Sequence, residues 1–168
     1  MRHFIVVVLC VFGASCNSLS SALPAAPTSA GAIASFQTQA ASASSPVEVT
    51  FTKWITAYPQ MAGFTGGAVP GTYAGEVLSR TPFENGVIVQ LEAEYRVIDP
   101  TGQRSFTALI SGKQNNNTAQ AVLNGVVSEG WAVGAQVHVT YDVIRPCAFG
   151  TNNVCFQGTI RVMPGSSN

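Results

Sequence analysis

The sequence predicts an all-β domain: an antiparallel up-and-down meander of about seven to eight strands, closing into a barrel rather than a sandwich. Three observations carry that prediction. Apolar and polar residues alternate with a two-residue period over several stretches, with no sustained helical period between them. The stretches are separated by short clusters of Gly, Asn, Asp and Pro, which force antiparallel neighbours because a parallel crossover needs about a dozen residues. The last two stretches flank Cys147 and Cys155, an even pair around Gly150-Thr151-Asn152-Asn153, which reads as a disulfide clipping a loop.

Each element follows from its own pattern. Val47 to Trp54 is rich in β-branched and aromatic residues and forms the first strand. Pro59 to Gly71, with Met61, Phe64 and several glycines, reads as a long irregular loop. Thr72 to Arg80 is the second strand, and Asn85-Gly86 the hairpin signal after it, since both positions tolerate positive φ. Val87 to Asp99 alternates most cleanly. Val87, Val89, Leu91, Ala93, Tyr95 and Val97 face one way, and Gln90, Glu92, Glu94 and Arg96 the other. Asp99-Pro100-Thr101-Gly102 turns the chain into a strand over 104–111. Asn115-Asn116-Asn117 leads into another strand over 118–127. Val137, Val139, Tyr141 and Val143 mark the sixth strand, and Val154, Phe156, Gly158, Ile160 and Val162 the seventh, which is expected to pair back toward the first. Tyr73-x-Gly75-x-Val77, Leu123-x-Gly125-x-Val127 and Phe156-x-Gly158-x-Ile160 share one inward pattern, a large residue followed by a glycine where strands must coil.

Four segments are expected. Residues 1–16 read as a signal peptide: Arg2 and His3 precede an apolar run from Phe4 to Phe12, too short to span a bilayer. Residues 17–46 are uncharged and Ala/Ser-rich, a linker; 47–162 form the barrel domain, and 163–168 a tail. Gly13-Ala14-Ser15-Cys16 resembles the lipobox of bacterial lipoproteins, with Gly13 where a large aliphatic is usual. Two readings stay open: acylation of Cys16, or an ordinary cleavage after Ala22. Both place the domain outside the cytoplasm, secreted or anchored to the cell envelope.

The chemistry is sparse. Charged residues make up 10% of the chain, and acids and bases balance at 8 each, so no nucleic-acid partner is expected. A membrane enters only through Cys16. His138 is the sole histidine beyond the apolar run. With the Cys pair it makes a poor tetrahedral metal set, so no metal and no cofactor are expected. Asp142 lies four residues along the same strand face from His138, about 13 Å at roughly 3.3 Å per residue, too far to form a couple. Glu92 and Glu94 read as a solvated face. Asn116-Asn117-Thr118 matches a glycosylation sequon in a turn. No catalytic residues are assigned.

Binding residues are assigned instead. Tyr73, Tyr95 and Tyr141 fall on the inward face of three strands and can line a cavity. Trp54, Tyr58 and Phe64 lie in or beside the Gly/Pro stretch, as a lid, a partner-facing patch or a plug. The phrases FTKWIT, GTYAGEVLSR and VCFQGTIRV resemble those of a family of uncharacterised exported bacterial proteins, and the meander resembles lipocalin-like and avidin-like barrels in architecture. The lipocalin Gly-x-Trp is replaced by Thr52-Lys53-Trp54. The expectation is therefore a non-catalytic barrel that binds a small apolar or aromatic ligand or an extracellular protein. The alternatives are a cofactor-free isomerase or cyclase, and a structural or adhesion module.

Overall fold

The computed structural model describes residues 45–150 and 152–163. The expected signal peptide, Cys16 and most of the linker lie outside the described residues. Eight strands run β1 (Val47–Ala57), β2 (Gln60–Gly67), β3 (Gly71–Phe83), β4 (Ile88–Ile98), β5 (Phe106–Asn115), β6 (Gln120–Gly130), β7 (Gln136–Ile144) and β8 (Cys155–Met163). Each pairs antiparallel with the next. Strand β8 returns to β1 in the register Val49↔Ile160 and Trp54↔Cys155, so the sheet is a closed barrel with no free edge.

The turns obey their residue chemistry. Asn85 and Gly86 take φ of 56° and 87° in a single 3-10 turn, Glu84–Gly86, between β3 and β4. Between β4 and β5, Asp99 accepts hydrogen bonds from the Thr101 amide at 2.9 Å and the Thr101 hydroxyl at 2.7 Å. Those bonds hold its carboxyl below the usual range.

One expectation is corrected. The stretch from Pro59 to Gly71 is no irregular loop, because Gln60–Gly67 forms β2, paired on both edges. Met61 and Gly63 point inward, and Gly63 is needed there. A side chain at Gly63 would run into the backbone of Thr52 and Lys53 across the strand pair. The glycines that hid the alternation are thus the ones that let β2 approach β1.

The inward glycines also make room for the tyrosines. Tyr73 faces Gly63, Tyr95 faces Gly75 and Tyr141 faces Gly158, each across one strand boundary. The register thus sets a large aromatic residue opposite each of these inward glycines, the pairing called aromatic rescue.

The barrel is filled unevenly. Toward the end that carries the β2–β3, β4–β5 and β6–β7 connections, Val49, Val69, Val97, Phe106, Val127, Val137 and Val162 are buried in contact with one another. Trp131 caps that end against Phe106, with ring centroids 6.2 Å apart, and the Arg104 guanidinium lies 5.9 Å from the Trp131 ring. Toward the other end, where four hairpins meet, the interior is hollow. The ion pairs among the described residues lie outside the barrel. Arg96 pairs with Glu94 at 2.6 Å on the outer face, an exposed bridge worth no more than about 1 kcal/mol.

Candidate functional site

The hollow end encloses a cavity of about 650 Å³, within the roughly 300–1,000 Å³ typical of small-molecule sites. Its walls are Ile55, Met61, Val77, Leu91, Leu123, Val143 and Phe156, one from each of seven of the eight strands. Its mouth is ringed by Tyr58 of the β1–β2 turn, Arg80 of β3, Asn116 of the β5–β6 turn and Arg145 and Asn152 of the β7–β8 loop.

Lys53 stands at the floor. It is 3% exposed, the single charged residue in the buried set among the described residues. Parity puts it there: Val49 and Phe51 are buried in the barrel and Ile55 lines the cavity, so position 53 shares their face. Its Nζ donates to the Tyr95 hydroxyl. Five rings surround it, with centroids 3.9 Å (Tyr95), 4.8 Å (Tyr141), 5.5 Å (Phe156), 5.6 Å (Phe51) and 5.6 Å (Tyr73) from Nζ. Among the described residues no carboxylate pairs with it. Burial without a counter-charge therefore pushes the Lys53 ammonium well below the ordinary lysine range. The same burial pushes the hydroxyls of Tyr73, Tyr95 and Tyr141 up, so all three stay protonated at neutral pH.

The tyrosines differ in what they offer. Tyr95 receives the Lys53 hydrogen bond and lines the cavity. Tyr141 lines it too, and its hydroxyl donates to Gln114 Oε1 at 3.0 Å. Tyr73 is buried beneath them, 5.1 Å from the Tyr95 ring in an edge-on contact; among the described residues its hydroxyl has no hydrogen-bond partner, and it does not line the cavity.

Tyr58 reaches the mouth, as part of the lining. Trp54 and Phe64 do not line the cavity. Trp54 follows Lys53 and so faces outward, where it stacks on Phe149 at 4.7 Å and meets Phe64 at 5.3 Å. Phe149 belongs to the β7–β8 loop, which the Cys147–Cys155 disulfide closes. Gly150, at φ +78°, lets that loop lie flat on Trp54, since an added Cβ would sit 2.9 Å from the Trp54 Cβ. His138 is also outside, its Nδ1 2.7 Å from Asn124 Oδ1. Among the described residues no group of His, Cys, Asp and Glu could hold a metal ion.

Two site residues are not singled out by the sequence pattern. Lys53 was legible by parity, yet its type argues for the surface. Arg80 was not legible. A bulge between Val77 and Ser79 shifts the register, so that Arg80 pairs with inward-facing Leu91 and turns to the mouth. The arrangement offers hydrogen-bond donors and an amine at the base of an apolar chamber. It can grip the polar end of a ligand, or present an amine to a carbonyl. Comparison with protein-family models, curated proteins and solved structures returns no match for this chain.

Proposed function

We propose that this domain is an exported, non-catalytic barrel that binds a small ligand with an apolar or aromatic body inside the cavity. The observation that carries the reading is the chamber itself, apolar in its walls, polar at its floor and open at the hairpin end. Solvent wets the apolar walls of a chamber this size, and covering them with a ligand body is favourable by about 25 cal/mol per Å². The N-terminal apolar run and the Cys147–Cys155 disulfide support an extracytoplasmic setting, secreted or anchored through Cys16.

A thermal-shift screen of hydrophobic and aromatic compounds tests the proposal, with Tyr95→Phe and Tyr141→Phe as controls at the chamber floor. Binding raises the melting temperature in a concentration-dependent way, and the two variants change the ranking of ligands. If no compound shifts the wild type and both variants behave like it, the cavity reading fails.

A second reading, a cofactor-free enzyme, is favoured by one observation, the Lys53 amine beside the Tyr95 hydroxyl. A neutral amine adds to an aldehyde carbon, and the carbinolamine loses water to give an imine. Borohydride reduction after aldehyde treatment, followed by peptide mass analysis, would mark Lys53 if that chemistry operates.

A further inference from the structure

The charges that line the cavity all have one sign. The chain carries 8 acidic and 8 basic residues, yet among the described residues the cavity takes Lys53, Arg80 and Arg145 and no Asp or Glu. Lys53 is deep and unpaired, whereas Arg80 and Arg145 are exposed at the mouth. We infer, resting on the cavity-binding reading, that the occupant is a monocarboxylate with an apolar or aromatic body, its carboxylate seated on Lys53 Nζ and the Tyr95 hydroxyl.

The orientation follows from desolvation. A carboxylate held at the mouth would meet arginines screened by water, where an ion pair gains little. It would also push an apolar chain onto Lys53 and leave that amine buried without a counter-charge, the Tyr95 hydroxyl its one acceptor among the described residues. A carboxylate at the floor gives the amine a counter-charge in a water-poor site, and the Tyr95 hydroxyl supplies a second donor. The body then lies against Met61, Val77, Leu91, Leu123, Val143 and Phe156. One deep cation matches one negative charge, which disfavours a dianionic phosphate. The mouth arginines attract the anion during approach without holding it.

Seating the anion also moves a proton. The titratable groups that face Lys53 are Tyr73 from β3, Tyr95 from β4 and Tyr141 from β7; β2 presents Gly63 and β8 presents Phe156. No carboxylate stands among them, so the ligand brings the charge that lets the amine protonate. Binding therefore takes up about one proton from solution at a pH where the empty site holds a neutral amine.

The test is titration calorimetry of the intact protein with matched probes: dodecanoate, dodecanol and dodecylamine, then naphthoate and naphthalenemethanol. Each carboxylate is expected to bind at least about tenfold more tightly than its alcohol, with proton uptake revealed by repeating the titration in buffers of different ionisation enthalpy. Lys53→Met is expected to abolish that preference while retaining alcohol binding. The proton uptake is read in the wild type, so the inference stays testable if Lys53→Met does not fold. Equal binding of alcohol and carboxylate, or tightest binding by the amine, overturns the inference and leaves the cavity reading standing. Failure of every probe to bind overturns both.

Discussion

Replacing Lys53 by Met separates the cost of a buried amine from the packing of its stem. Burial lowers the folded-state Lys53 pKa below its ordinary 10.5. Between those two values the unfolded chain holds a proton that the folded chain does not. Stability of the wild type therefore rises with pH in that window, by at most about 1.4 kcal/mol per pH unit for one proton. Each pH unit inside the window corresponds to a melting shift on the order of 5 °C for a domain of this size. The tyrosines act oppositely. Their folded pKa values lie above the ordinary 10.0, so above that pH the unfolded chain ionises first and stability falls. The wild type should thus climb to a maximum near pH 10 and then decline. Lys53→Met should lose the ascending limb and keep the descending one. It also forfeits the hydrogen bond to Tyr95, a nearly constant offset of about 1 kcal/mol. Circular dichroism melts from neutrality to about pH 11 read all of this. Parallel curves for the two proteins up to the maximum would refute the argument, since they would mean that Lys53 keeps its proton on folding.

Three further outcomes are expected. Tyr73→Phe removes a buried hydroxyl that has no hydrogen-bond partner among the described residues and should stabilise by about 1 kcal/mol in urea denaturation; a loss of stability would show that the hydroxyl is satisfied. Gly75→Ala places a methyl 2.6 Å from the Glu94 carbonyl oxygen and should cost roughly 1–3 kcal/mol by the same assay, so an unchanged midpoint would contradict the close strand approach. Replacing both Cys147 and Cys155 by Ser opens a link spanning 8 residues of sequence and should cost about 2.5 kcal/mol by loop entropy, with hydrogen exchange rising first over residues 145–154.

The meander was legible because each strand's alternation agrees with the turn chemistry at its ends. Asn85-Gly86 and Asp99 fix hairpins whatever the rest of the chain does. Strand β2 was hidden because its pattern depends on partners: Gly63 and Gly66 look like loop residues until β1 and β3 lie beside them. The three tyrosines could be placed inside by parity, and two of them line the chamber. That Tyr73 lies below it depends on depth along the barrel, which one strand's period does not encode. Lys53 is ambiguous in the sequence because its residue type and its parity disagree, and such a conflict is where a functional group is to be sought. Arg80 depends on a bulge at Leu78, which shows only in the pairing register. The hollow itself is a sum over side chains from many strands, with no local trace.

The Trp131 cap over Phe106 gives the barrel a sealed base. A sealed base makes the chamber a vessel, not a conduit. Whatever enters past Tyr58 and Arg145 leaves by the same way, last in and first out. A ligand seated on Lys53 as proposed would have to let go there before any of it could move out. Residence time and selectivity would thus be set at the same amine, while the four mouth hairpins are free to vary in length and sequence without touching the packed base that keeps the barrel folded.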